Sequence, residues 1–135
     1  MNGSRILLIL SILSAGTALS CLTDPEISIY HLAADSISAP DTVTTADTLF
    51  IRIHYTLVSG CHSLKRVEST SFVDGLTCRL IGRELHAMCD EAVRYRSYLF
   101  TRSVLVPGIF TITVDQPEGE DLVRQVVVLR DKGEG

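Results

Sequence analysis

The chain has 135 residues, a formal net charge of −4 from 12 basic and 16 acidic side chains, and no tryptophan. This length allows one small domain built around a single hydrophobic core. The acidic balance argues against nucleic acid as a partner, because phosphate binding requires a stripe of basic residues and no basic run is present.

The first twenty residues have the pattern of an export signal. Arg5 precedes an apolar run over residues 6–13, and small residues follow over residues 14–18. Secretory signals show this order of positive charge, apolar core and small residues. A transmembrane helix requires about 20 apolar residues, which this run does not supply. The sequence therefore predicts a helical signal peptide over residues 1–20, in preference to a buried N-terminal helix of the domain.

The residues Ala18-Leu19-Ser20-Cys21 resemble the lipobox of bacterial lipoproteins, with Ser20 in the small position before the cysteine and Ala18 and Leu19 in reversed order. The resemblance implies a lipid on Cys21. Each buried methylene of an acyl chain adds about 0.8 kcal/mol of membrane affinity, so a diacylglycerol would hold the domain at a membrane. Ala18 and Ser20 also fit the rule of an ordinary signal peptidase, and simple secretion is therefore the alternative.

The clearest strand lies at residues 49–58. Its apolar side chains alternate with a polar face that contains Arg52 and His54, and period-2 alternation over ten residues indicates a half-buried strand. Further strands are predicted at residues 27–32, weakly at 36–38, and at 64–72, 76–81, 83–88, 98–106, 109–114 and 122–129.

Between these strands the chain carries turn signals, and two connections are of interest. Gly82 interrupts residues 76–88, which are predicted to form a hairpin or one bulged strand. Residues 90–95 are compatible with a single helical turn. About seven short strands at this spacing predict an all-β fold, a small antiparallel β-sandwich.

The predicted organisation has four parts. The signal peptide of residues 1–20 is followed by an N-terminal segment with short edge strands, residues 21–47. The sandwich core covers residues 48–130, and a charged tail follows at residues 131–135.

The stretch over residues 105–114, Leu-Val-Pro-Gly-Ile-Phe-Thr-Ile-Thr-Val, resembles the Leu-x-Pro-Gly-x-aromatic-x-Val-x-Val signature of immunoglobulin-like and fibronectin-like domains of exported bacterial proteins. The resemblance implies that Phe110 packs at the corner between two sheets. It implies a fold and not a function, because such folds carry many unrelated activities.

The four cysteines are Cys21, Cys61, Cys78 and Cys89. With a lipid on Cys21, two of the remaining three are expected to pair in an oxidising compartment. Cys78 alternates in phase with the apolar residues of its strand and is predicted to be a buried thiol. Cys61 and Cys89 lie at loop positions, so Cys61–Cys89 is the favoured disulfide and Cys78–Cys89 the alternative.

Signals for catalysis or metal binding are weak. His86 and Cys89 have ligand-like spacing but lack the paired Cys-x-x-Cys motif of zinc sites. The neighbours Cys61 and His62 point apart on an extended chain, which disfavours cysteine catalysis. The sequence has no Gly-x-Ser-x-Gly motif and no glycine-rich phosphate loop. Acidic residues at 90–91 and 118–121 are interpreted as solvated turns rather than calcium sites.

The sequence therefore predicts no enzyme, cofactor or metal. It favours a lipid-anchored β-sandwich that acts as a binding or structural module of a bacterial cell envelope, with the membrane as partner through Cys21 and a protein or glycan ligand unidentified. The alternative is a secreted domain, such as an inhibitor or adhesion module, in which all four cysteines pair. An enzyme would require His54, His62 or His86 to converge with a carboxylate in a pocket.

Overall fold

Strands form in this chain where apolar and polar side chains alternate, because alternation places one face of a strand in the core and the other in water. A computed structural model describes residues 26–133. The predicted helical signal peptide and Cys21 lie outside these residues. Within the described range the chain is all-β, and its nine strands are β1 (Ile27–Leu32), β2 (Ala34–Ser38), β3 (Thr42–Thr44), β4 (Thr48–Leu57), β5 (His62–Phe72), β6 (Gly75–Leu85), β7 (Arg94–Ser103), β8 (Gly108–Val114) and β9 (Leu122–Leu129). No helix of this range has the length and hydropathy to cross a membrane.

The strands form two sheets. The six-stranded sheet has the order β1-β6-β8-β9-β3, with β5 on the other edge of β6, and the three-stranded sheet has the order β2-β4-β7. One edge of β6 holds two neighbours in succession, because its residues 80–85 pair with β1 and its residues 75–78 pair with β8. The predicted β-sandwich is confirmed, with nine described strands instead of about seven. Two pairings, β6–β8 and β3–β9, are parallel.

The core lies between the sheets and is built from the alternate residues that the sequence pattern indicates. The deepest side chains come from β4, β6, β8 and β9, and they are Leu49, Ile51, Ile53, Leu76, Leu80, Phe110, Ile112, Val114 and Val126. Burying one such side chain stabilises the fold by about 1.5–3 kcal/mol. The N-terminal segment also contributes buried side chains, Leu32, Ala34 and Val43.

Two local predictions differ from the structure. Residues 90–95 do not form a helical turn, because residues 87–93 are irregular and β7 begins at Arg94. Gly82 does not interrupt its strand, since β6 runs without a break from Gly75 to Leu85. The irregularity lies in β5 instead, between Leu64 and Arg66.

Two edge strands, β5 of the larger sheet and β7 of the smaller sheet, lie on the same flank of the sandwich. At one end of this flank the backbone amide of Gly60 donates to the carbonyl of Asp90 at 2.9 Å. At the other end the guanidinium of Arg102 donates to the hydroxyl of Ser71. Among the described residues no backbone hydrogen bond joins β5 to β7. We call this side of the molecule, from β5 to β7, the open flank.

Candidate functional site

The structure confirms the predicted disulfide between Cys61 and Cys89, whose Cα atoms are 5.4 Å apart. It joins the residue before β5 to the irregular connection between β6 and β7. Cys78 is unpaired and only 2% exposed within the core. Burial raises the pKa of the Cys78 thiol to about 11. The alternative pairing Cys78–Cys89 is therefore wrong, and within residues 26–133 Cys78 takes part in no disulfide.

The predicted lipidation residue, Cys21, lies outside the described residues, but the point at which the chain enters the sandwich is defined. The carbonyl of Glu26 accepts a hydrogen bond of 2.8 Å from the backbone amide of His86. His86 follows β6 closely and precedes Cys89 by three residues. The N-terminal segment therefore enters the domain at the end that carries the disulfide.

Two histidines and a carboxylate lie at this disulfide end. The Tyr30 hydroxyl is hydrogen-bonded to Nδ1 of His62 at 2.9 Å, and Nε2 of His62 lies 3.8 Å from Oε1 of Glu84. Burial first, and then the charge of Glu84, raises the pKa of Tyr30 above its ordinary value. The Tyr30 hydroxyl therefore stays protonated near neutral pH and remains available as a donor.

His86 makes a separate pair, because its Nε2 is hydrogen-bonded to the hydroxyl of Ser28. A serine triad requires a single histidine to contact both the nucleophile and the carboxylate. Here the ring of His86 contacts the hydroxyl of Ser28, whereas the ring of His62 contacts the carboxylate of Glu84. The two contacts that a triad requires of one histidine are therefore made by two different histidines. Among the described residues no group of three or more His, Cys, Asp or Glu side chains is arranged to hold a metal ion.

The outward face of the three-stranded sheet carries the two residues that the sequence analysis placed there. Nη1 of Arg52 donates to the hydroxyl of Ser97 on β7 at 3.4 Å. His54 lies beside a shallow depression that is also lined by Asp35 and Tyr95. Asp35 is the carboxylate of this depression, but it accepts a hydrogen bond from the hydroxyl of Thr56, and among the described residues no hydrogen bond or ion pair joins it to His54. Tyr95 is 80% exposed, which makes it the most exposed aromatic side chain on this face.

β7 is the surface that sequence reasoning missed. Six of its ten residues are Arg, Tyr or Phe. Its first four residues, 94–97, lie before the predicted strand, in the predicted helical turn or next to it. Protein interfaces are enriched in these three residue types, because they provide large contact areas with polar tips. The signal that was available in the sequence is the interleaving of arginine and aromatic residues over residues 94–102.

The fold and the disulfide define a small, disulfide-stabilised, all-β sandwich domain. No family model, curated protein or solved structure matches the chain.

Proposed function

We propose that this protein is a non-enzymatic binding module of a bacterial cell envelope, held at a membrane by a lipid on Cys21, and that its binding surface is β7. The single observation that supports the envelope location is the distribution of the cysteines. Cys61 and Cys89 pair with each other, and disulfides persist mainly in oxidising compartments such as the periplasm or the cell surface.

The same distribution favours a lipid on Cys21 over a disulfide. Cys61 and Cys89 are already paired, and Cys78 is enclosed in the core. A disulfide to Cys78 would require the core to open at a side chain that is 2% exposed. Cys21 follows an apolar leader and a small residue, which is the position at which lipoproteins are modified. Lipidation accounts for this cysteine without any change in the domain.

The proposed anchor also orients the domain. Glu26 lies five positions after Cys21, and five extended residues span at most about 18 Å. The disulfide end of the sandwich would therefore stay close to the bilayer. β7 begins near this end, where Arg94 faces Asp90, and runs away from it toward Ser103. Its length would remain accessible to a partner in the envelope.

The test is to express the full chain with export in a bacterium and to measure the intact mass and the membrane fractionation. We expect the mature protein to begin at Cys21, to carry the mass of a lipid and to sediment with membranes. Cys21→Ala should lose the lipid and the sedimentation. Ser20→Ala, which keeps a small residue before the cysteine, is the matched control and should behave as wild type. A mature wild-type protein with an unmodified Cys21 in the soluble fraction would support the secreted alternative and overturn the anchor.

A further inference from the structure

We infer that β7 binds an extended, acidic peptide segment of a partner protein, which pairs with the free edge of β7 and becomes the fourth strand of the three-stranded sheet. This inference deepens the proposed binding role and names the class of its ligand. It does not depend on the lipid anchor. Strand addition to an exposed sheet edge is a common mode of peptide recognition, in which main-chain hydrogen bonds give affinity and alternate side chains give specificity.

The free edge is long enough to hold a peptide. β7 pairs with β4 over ten consecutive residues, from Arg94 opposite Leu57 to Ser103 opposite Thr48, without an irregularity. Within residues 26–133 no strand pairs with its other edge. An edge of this length presents a row of unpaired backbone donors and acceptors, which natural proteins ordinarily cover, shorten or protect with charge.

The charges of β7 are all positive and lie on its inner face. Arg94, Arg96 and Arg102 are the cross-strand partners of residues in β4 whose side chains are buried, namely Leu57, Tyr55 and Leu49. Directly opposed residues of paired strands project from the same face of a sheet. The three arginines therefore project from the core side of β7 into the open flank. β7 contains no acidic residue.

The guanidinium groups of these arginines use only part of their capacity for ion pairs and hydrogen bonds within the domain. Arg94 lies 3.5 Å from the exposed carboxylate of Asp90, and Arg102 donates to the hydroxyl of Ser71. Arg96 forms no ion pair with another described residue and is exposed. Charge complementarity at this edge therefore favours a ligand with carboxylates. Arginine forms bidentate hydrogen bonds with carboxylates, which adds geometric specificity to the attraction.

Two aromatic rings lie between the charges. Tyr98 and Phe100 occupy the next inner positions of β7, and their rings meet edge to face with centroids 4.9 Å apart. Tyr98 is 37% exposed and Phe100 is half-buried against the core. The inner face of β7 thus presents two arginines, two aromatics and one arginine in succession. Its complement in an added strand has acidic residues opposite the arginines and aliphatic residues opposite the rings.

The same charges argue against a second copy of this chain as the occupant. If two β7 strands paired antiparallel about Tyr98, Arg94 of one copy would lie opposite Arg102 of the other. A shift by two residues in one direction would set Arg96 opposite Arg102, and a shift in the other direction would set Arg94 opposite Phe100 and leave Arg102 beyond the end of the partner's strand. Like charges that are directly opposed destabilise a strand pair, and inward-pointing charges are a known protection against edge-to-edge association. An acidic partner removes this repulsion, whereas a second copy creates it.

The test measures binding of labelled peptides to the detergent-solubilised full chain by fluorescence anisotropy. The probe is a nine-residue peptide with Glu at positions 1, 7 and 9, Val at positions 3 and 5, and Thr elsewhere, which matches β7 in antiparallel register. One control peptide has Lys in place of Glu. A second control keeps every charge but carries N-methyl groups on alternate amides, so that it cannot pair along its edge.

We expect the probe to bind and both control peptides to bind at least tenfold more weakly. Arg96→Glu should weaken binding of the probe at least tenfold, and Arg96→Gln should have an intermediate effect. Lys132→Glu makes the same change in net charge next to residues of β3 and β9, and should bind as wild type. Hydrogen exchange should show new protection at amides of β7 in the complex.

Each result that contradicts these expectations shows which part of the proposal is wrong. Equal binding of the N-methylated peptide would show attraction by charge without strand pairing, and would overturn the inference. Equal binding of the Lys peptide, or an unchanged affinity in a folded Arg96→Glu protein, would overturn it as well. A membrane-bound protein that does not bind the probe would refute strand addition alone. A soluble protein with unmodified Cys21 that binds the probe would refute only the anchor.

Discussion

The aromatic ring of Tyr30 on β1 lies directly against Gly82, its cross-strand partner on β6. A Cβ atom at Gly82 would lie 2.5 Å from Cζ of Tyr30 and under 3.0 Å from both Cε atoms. The glycine therefore provides the space in which the ring packs against the core and reaches His62.

Gly82→Ala should consequently destabilise the protein, although alanine is ordinarily the better residue in a strand. We expect a loss of roughly 1–3 kcal/mol in urea unfolding, because overpacking at a close contact forces the ring or the backbone to move. Gly133→Ala is the control, since its nearest neighbouring atom would be 3.5 Å away and exposed sites change stability by less than about 0.5 kcal/mol. Wild-type stability in Gly82→Ala would show that the ring does not require this space.

The sequence was most informative where one face of a strand is buried and the other is exposed. β4, β8 and β9 lie within a residue or two of their predicted bounds, because each alternates between core and solvent over its whole length. The two cysteines of the disulfide could be predicted from the sequence for a related reason. Alternation placed Cys78 in the core and left Cys61 and Cys89 at loop positions, where the structure joins them.

Edge strands were predicted poorly, and the candidate site is one of them. β7 starts four residues earlier than predicted and ends at Ser103 instead of residue 106. Its inner residues lie at the margin of the sandwich, where Arg94 and Arg96 can face inward and still reach water. Such a strand loses the alternation of polarity on which the prediction depends. β3 was missed because three residues are too few for any period to be recognised.

Loss of the disulfide should lower stability substantially. Cys61 and Cys89 are separated by 28 residues in the chain, and the loop-entropy relation gives about 3.5 kcal/mol for a closed loop of that size. We expect a double variant with alanine at both positions to show a loss of about this size in urea unfolding. Wild-type protein unfolded in the presence of a reductant should reach the same stability. An equal stability of oxidised wild type and double variant would contradict the role of this bond.

The thiol of Cys78 should be inert in the native protein and reactive only after unfolding. Burial raises its pKa to about 11, so roughly one thiol in a thousand is ionised at pH 8, and the side chain is enclosed. We expect iodoacetamide at pH 8 to add no label to the native protein within hours, as read by intact mass.

After unfolding in urea without a reductant, the lipidated protein should take one label at Cys78. A protein with a free Cys21 should take two, which makes the same experiment a check on the anchor. Cys78→Ala is the control and should remove one label. Labelling of the native wild-type protein as fast as the unfolded chain would show that the thiol is not enclosed.

The ion pair between Arg79 and Asp115 should make stability depend on pH in the acid range. Nε of Arg79 donates to Oδ2 of Asp115 at 2.9 Å, and this hydrogen bond is the main cause that lowers the pKa of the carboxyl below its ordinary value. Because the folded-state pKa is the lower one, the stabilisation is complete above the ordinary pKa of aspartate and is lost as the pH falls through the lowered value. Asp115→Asn should therefore show a shallower loss of stability than wild type when urea unfolding is compared from pH 6 down to pH 2.5. The control is Glu118→Gln, which removes a carboxylate of the same loop that makes no ion pair with a described residue. This variant should keep the wild-type dependence of stability on pH. Identical slopes for wild type and Asp115→Asn would show that the ion pair does not contribute.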